Sequence, residues 1–217
     1  MSQRVITVVL LIGLFFGAIT LVSGMSTWRL PDNQQGYAPQ QPLDYSHRLH
    51  AGELQMDCRF CHTAAEQSRY AGIPSNDVCM KCHTVVTDSF DKLQDERKRA
   101  DEEKRQPALS ISPELRKLYD AMQLDDQLQP IAGATPKSIS WVKVHNLPDY
   151  VYFDHRAHVA AGVSCQHCHG PVESMERMRQ HETLSMGWCV NCHREATADG
   201  VNGRAVNAKT DCAVCHY

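Results

Sequence analysis

Ten cysteines and twelve histidines are the side chains best equipped for chemistry in this chain of 217 residues. Every cysteine falls in one pattern, Cys-x-x-Cys-His: Cys58-Arg-Phe-Cys61-His62, Cys79-Met-Lys-Cys82-His83, Cys165-Gln-His-Cys168-His169, Cys189-Val-Asn-Cys192-His193 and Cys212-Ala-Val-Cys215-His216. At the chain's own residue frequencies chance supplies roughly 0.025 such matches, so five with no cysteine left over read as attachment sites for c-type haem. Two thiols three residues apart reach the two vinyl groups of one porphyrin, and the adjacent imidazole folds under the ring to ligate iron. The ten cysteines are therefore expected to hold five covalent haem c groups, with His62, His83, His169, His193 and His216 as proximal iron ligands. Zinc is the rival for paired cysteines, but a tetrahedral zinc site has no need of a histidine directly after the second thiol in all five motifs.

Seven further histidines compete for the second axial position of each iron: His47, His50, His145, His155, His158, His167 and His181. Four of them lie in an internal repeat, Tyr45-Ser-His47-Arg48-Leu-His50 ahead of Cys58 and Phe153-Asp-His155-Arg156-Ala-His158 ahead of Cys165. An iron with its proximal place taken has one position left, so two ligating histidines of one repeat must serve two different irons. Each repeat is then a bridge between neighbouring haems, with His47 assigned to the first, His155 to the third, and His50 and His158 to neighbours. His145 is a further candidate distal ligand; His167 is constrained by the thioethers around it, and His181 is weaker. Methionine is the alternative ligand and raises the potential; Met175, Met178 and Met186 all lie between the third and fourth motifs, packing against porphyrin faces is the rival reading of each, and Met175 and Met186 are the candidates. With one residue after His216, the fifth distal ligand is expected from upstream or from another subunit.

These residues resemble known families. The two HxxH units ahead of their CxxCH motifs look like the haem-packing unit of class III multihaem cytochromes, which implies that the first His serves the haem just downstream and the second a different one. Trp141-Val-Lys-Val-His145-Asn-Leu-Pro-Asp149 running into Phe153-Asp-His155, and Leu184-Ser-Met186-Gly-Trp188-Cys189-Val-Asn-Cys192-His193-Arg194, resemble the pentahaem, membrane-anchored cytochrome c subunit of alternative complex III. The resemblance covers residues 44–83 and 141–194, the anchor and the haem count. It implies an electron-transfer subunit, not an enzyme by itself, in a quinol-oxidising respiratory or photosynthetic complex. Its partners would be iron-sulfur and polytopic membrane subunits, and its outlet a monohaem cytochrome c or another high-potential acceptor.

The elements that must carry these sites follow from composition. Hydrophobic residues are 42% of the chain and aromatics 7%, with many of the aliphatics in the first 24 positions, so the remainder is poor in material for a side-chain core. Five haems on the 193 residues after Gly24 leave about 39 residues each. The expected fold is a multihaem cytochrome c with little regular secondary structure, short α-helices around porphyrins, and one N-terminal transmembrane helix. A net charge of -3 offers no basic face for nucleic acid.

Val5 to Gly24, VITVVLLIGLFFGAITLVSG, runs 20 residues without a charge, long enough to span a membrane. Arg4 before it, and Trp28 with Arg29 after it, place the N-terminus inside and the haem part on the periplasmic, outer side of a bacterial cell membrane. A signal peptide cleaved after Val22-Ser23-Gly24 is the alternative, although its apolar region would be unusually long. Gly13 and Gly17 form a GxxxG pair. The expected divisions are an anchor at 1–28, an extended Pro-rich tether at 29–43, a two-haem module at 44–88, a charged helical insertion at 89–140 and a three-haem module at 141–217. Within the insertion, 12 of the 15 residues from Asp91 to Arg105 are charged, as on a solvated helix with i,i+4 pairs, and Ser112-Pro113-Glu114 starts a second helix that packs on the haem body.

Three rival functions follow from the same residues. Substrate reduction needs an iron with an open position, and no variant motif such as CxxCK marks one. A tetrahaem-type membrane quinol dehydrogenase would hold its first haem against the membrane, whereas Cys58 lies 34 residues past Gly24 across the tether. A free periplasmic shuttle requires cleavage of the anchor.

Overall fold

The computed structural model describes residues 3–25 and 34–217. Among them the regular structure is helical, with no sheet and three isolated bridges, Leu124 to Pro130, Val151 to His216 and Val201 to Arg204. The interfacial reading of Trp28 and Arg29 and the first part of the tether lie outside the described residues.

Helix α1 (Gln3–Met25) is long and apolar enough to cross a membrane. Its two threonines are satisfied within it, Thr7 and Thr20 returning their hydroxyls to the carbonyls of Gln3 and Gly17 at 3.0 and 2.9 Å. From residue 34 the tether forms no helix or strand, as its prolines predict, but it is docked rather than loose. Gly36 N–H donates to the Gln180 carbonyl at 2.7 Å, Gln180 N–H donates to Tyr37, and Gln41 exchanges hydrogen bonds with Val142.

Every CxxCH motif sits on or at the end of a helix: α2 (Cys58–Cys61), α3 (Asn76–His83), α7 (Cys165–His169), α8 (Met186–Asp199) and α9 (Cys212–Cys215). Residues i, i+3 and i+4 of a helix share one face, so helical backbone turns both thiols of a motif and its histidine the same way. Local capping starts these turns: Asp57 accepts the N–H of Arg59 ahead of α2, and Ser185 that of Trp188 ahead of α8. The repeat histidines lie on two more short elements, a π-helical turn at Arg48–Glu53 entered from His47, and α6 (His155–Ala161), which closes on Gly162 at φ 91°.

Residues 89–140 carry the two helices that charge and capping predict, α4 (Phe90–Glu102) and α5 (Pro113–Ala121), the latter with Ser112 Oγ accepting the Leu115 N–H. Glu96 of α4 is 8% exposed and is shared by Arg99, by Arg105 at 2.6 Å and by the Ala108 N–H at 2.8 Å. The buried apolar side chains among the described residues are Ala100, Leu118, Tyr119 and Met175. Three of these lie on α4 and α5, and among the described residues around the CxxCH motifs Met175 is the one buried apolar side chain.

Candidate functional site

Six imidazoles have one nitrogen fixed on a backbone carbonyl. Nδ1 of His62 lies 2.6 Å from the Gly72 oxygen, that of His83 2.7 Å from Val86, and that of His193 2.5 Å from Lys209. Likewise His50 meets Ser46 at 2.9 Å, His155 meets Arg69 at 2.9 Å, and His158 meets Asp154 at 2.8 Å. A carbonyl can only accept, so each Nδ1 carries the proton and each Nε2 keeps its lone pair, the tautomer that ligates a metal.

These rings face each other in pairs. Two imidazole nitrogens at about 2 Å from one metal ion put their ring centroids about 6 Å apart. His50 and His83 are 6.2 Å apart, His155 and His169 6.3 Å with planes only 6° from parallel, and His158 and His193 5.9 Å. Burial first, then the nearby His62 and His50, hold the pKa of His47 at about 4. Burial likewise takes His145 to about 4 and His169 to about 3. Neutral imidazole is the ligating form, so burial and ligation favour the same state.

The internal repeat is geometrical as well as sequential. Tyr45 stands edge-on to His47 at 4.9 Å and stacks on His50 at 4.5 Å; Phe153 does the same to His155 at 4.9 Å and His158 at 4.5 Å. The aromatic residue thus fixes both ring planes of its repeat. The copies differ at one atom: His155 Nδ1 has the Arg69 carbonyl, while the buried Nδ1 of His47 has no hydrogen-bond partner among the described residues.

This donor set fits haem c. Among the described residues no three His, Cys, Asp or Glu side chains converge as a zinc site requires, none of the ten cysteines is in a disulfide, and opposed histidines stand at the spacing of a shared metal. Burial first, and then Cys192 and Cys189, push the Cys168 thiol up to about 11.

The remaining candidates lie elsewhere. His145 is on the Nδ1 edge of His169, its Nε2 3.1 Å away, and not across from a proximal ring at ligating distance. His167 directs Nε2 at the Cys192 sulfur at 3.4 Å, and His181 packs so closely on Gly170 that a Cβ there would overlap its ring. The ring nearest His216 is Tyr150, at 5.7 Å. Met175 is buried and Met186 is 70% exposed. Sequence reasoning missed Arg69 and Gly72, whose contribution is a backbone carbonyl and leaves no trace in residue type. It quoted Tyr45 and Phe153 as part of the repeat without assigning them a task.

Residues 151–217 match the family model of cytochrome c7 and related cytochrome c. The chain is also similar to the menaquinone reductase multihaem cytochrome c subunit of Nitratidesulfovibrio vulgaris strain Hildenborough. The two are 24% identical over 222 aligned positions, which cover 93% of this chain and 88% of that protein. A match of this kind implies covalently bound haem c and electron transfer.

Proposed function

We propose that the chain carries electrons through five covalent haems on the outer face of a membrane, within a quinone-linked oxidoreductase complex to which α1 anchors it. The observation that carries this reading is the facing of His50 with His83, His155 with His169, and His158 with His193 at 5.9 to 6.3 Å. In it, residues 44–88 hold two haems, residues 141–217 hold three, and 89–140 is an insertion. His62 and His47 hold the first iron, His83 and His50 the second, His169 and His155 the third, His193 and His158 the fourth, and His216 the fifth.

Bound haem supplies reversible one-electron chemistry. The chain's own residues decide that it does nothing more. Paired histidines would hold four of the irons from both sides and leave no place there for substrate, and Nδ1–H donation to carbonyls would strengthen six of these imidazoles as ligands. His145 accepts from His169 Nδ1 in the same role, in place of a carbonyl. Tyr45 and Phe153 cover the rings of their repeats and exclude water. For the fifth iron the methionine candidates are Met186, at the start of α8 and 70% exposed, and Met175, which is buried but has its carbonyl on the Arg48 N–H at 2.9 Å, beside the first site and so less well placed. Near-infrared magnetic circular dichroism reads such a ligand: a Met-to-iron band lost in Met186→Leu or in Met175→Leu identifies it, and no band at all makes the line free of methionine.

The finer reading is a subunit of an alternative complex III type assembly, passing electrons from an iron-sulfur, quinol-oxidising partner towards a monohaem cytochrome c or another high-potential acceptor. The name of the Nitratidesulfovibrio relative favours a second reading, in which electrons run the other way into quinone. Purification from membranes in mild detergent tests both. Co-purifying iron-sulfur and polytopic subunits that reduce the haems from a quinol analogue support quinol oxidation. Reoxidation of prereduced haems by a quinone analogue supports the second direction, and a solitary soluble cytochrome contradicts the complex altogether.

A further inference from the structure

Loop 68–72 lies between the first and second motifs, yet it serves the first and third. Its Gly72 carbonyl fixes His62, and its Arg69 carbonyl fixes His155, the ring that faces His169. The same loop is fastened further: Arg156 N–H donates to Ser68, and the Arg69 guanidinium donates to the carbonyls of Phe153 at 3.1 Å and Val151 at 3.5 Å. A second joint closes the other side. Arg48 N–H donates to the Met175 carbonyl at 2.9 Å, and Gly52 lies so near the Glu173 carbonyl that a Cβ would overlap it. Both partners lie within six residues of His169 in sequence. The second motif packs in another direction, on the insertion, where Tyr119 Oη donates to the His83 carbonyl at 2.6 Å and Asn76 Nδ2 to that of Lys137 at 2.9 Å.

The other joints follow the chain. His50 lies on the helical turn that His47 caps, and faces His83 of the second motif, so the second site joins the line beside this turn. Helix α6 carries His155 and His158, which face the third and fourth, and Cys192 Sγ lies 3.4 Å from His167. Lys209, three residues ahead of Cys212, gives its carbonyl to His193 of the fourth motif, and Thr197 of α8 exchanges hydrogen bonds with Ala208 at 3.2 and 3.1 Å.

We propose that the five haem sites stand in one line in the spatial order second, first, third, fourth, fifth. The second and fifth sites are then the ends at which electrons are exchanged with partners. This inference rests on the loading of five haems proposed above. It also gives the 86-residue spacing between Cys79 and Cys165 a physical sense. The insertion does not bridge the line; it is an excursion from one end of it, which α5 caps through Tyr119, while the crossing to the third site is made from the first.

Iron positions in crystals of the full-length holoprotein, located by anomalous scattering at the iron edge and assigned by thioether connectivity, test the order. The expected result is five irons with nearest neighbours second–first, first–third, third–fourth and fourth–fifth. Five irons with the second next to the third and the first at an end would overturn the order while leaving electron transfer intact. Fewer than five would overturn the loading on which both readings stand.

Discussion

The carbonyl oxygen of Arg69 accepts two hydrogen bonds from His155, one from its backbone N–H at 3.1 Å and one from its Nδ1 at 2.9 Å. One acceptor thereby sets both the start of α6 and the direction of the His155 Nε2 towards His169. The Arg69 guanidinium lies 4.5 Å from the Tyr152 ring and 5.3 Å from Tyr70, and it donates to Phe153. Docking of loop 68–72 and orientation of a candidate distal ligand are one event.

Arg69→Ala keeps the carbonyl and removes the clamp. The loss of its contacts with the Tyr152 and Tyr70 rings and of its hydrogen bonds to the Phe153 and Val151 carbonyls is expected to cost about 2–4 kcal/mol in unfolding of the holoprotein. The haem count should be unchanged while the potential of one low-spin haem shifts, as followed by redox titration with electron paramagnetic resonance. Arg69→Lys, which cannot form the fork, should recover only part of the effect. An unchanged set of potentials in Arg69→Ala would remove the positioning role.

Replacing His50 by Ala should leave all thioether links in place and convert one haem from low-spin to a high-spin, carbon monoxide binding form, because its ring is the one that faces His83 at 6.2 Å. His47→Ala should do the same to a different haem. An all low-spin spectrum in either variant would contradict the corresponding ligand assignment.

Gly52→Ala puts a methyl group against the Glu173 carbonyl, which is backbone and cannot swing aside. The overlap is expected to destabilise the holoprotein by about 1–3 kcal/mol, visible as a lower thermal midpoint with unchanged haem content. Gly36→Ala is a poor control, since its φ of 76° strains any side chain, whereas Gly187→Ala meets open space and should be close to neutral.

The Arg105 guanidinium, followed by the Ala108 N–H, holds the Glu96 carboxyl at about 2, well below its ordinary 4.5. A depressed carboxylate contributes stability that is fully present above the ordinary value and is lost as pH falls through the folded one. Segment 96–108 should therefore loosen between about pH 4.5 and 2, seen as earlier pepsin cleavage in that segment, while Glu96→Gln is already loose at pH 7. Cleavage of the wild type that does not vary across this window would show that the Glu96 cluster does not hold the insertion.

The sequence announces much of this arrangement because covalent chemistry is written in residue type and spacing. Cysteines at i and i+3, an adjacent histidine and a duplicated aromatic-x-His-Arg-x-His are visible without coordinates, and the structure turns the duplication into matched ring contacts of Tyr45 and Phe153. Ser112 likewise marks the start of α5 because capping is local. What stayed hidden is carried by backbone atoms. The carbonyls of Arg69, Gly72 and Met175 belong to every residue type, so no motif records that they join the first and third sites. The tether misled in a related way: its prolines do exclude helix, but they say nothing of the Gly36 to Gln180 pairing that docks it.

The central claim is that all five CxxCH motifs carry haem. Intact-mass analysis of the denatured holoprotein, with a pyridine haemochrome assay on the same sample, tests it most directly. The account predicts a mass increment of five covalently bound haems and an iron-to-chain ratio of five. An increment of four or fewer, or zinc in place of iron, would contradict it.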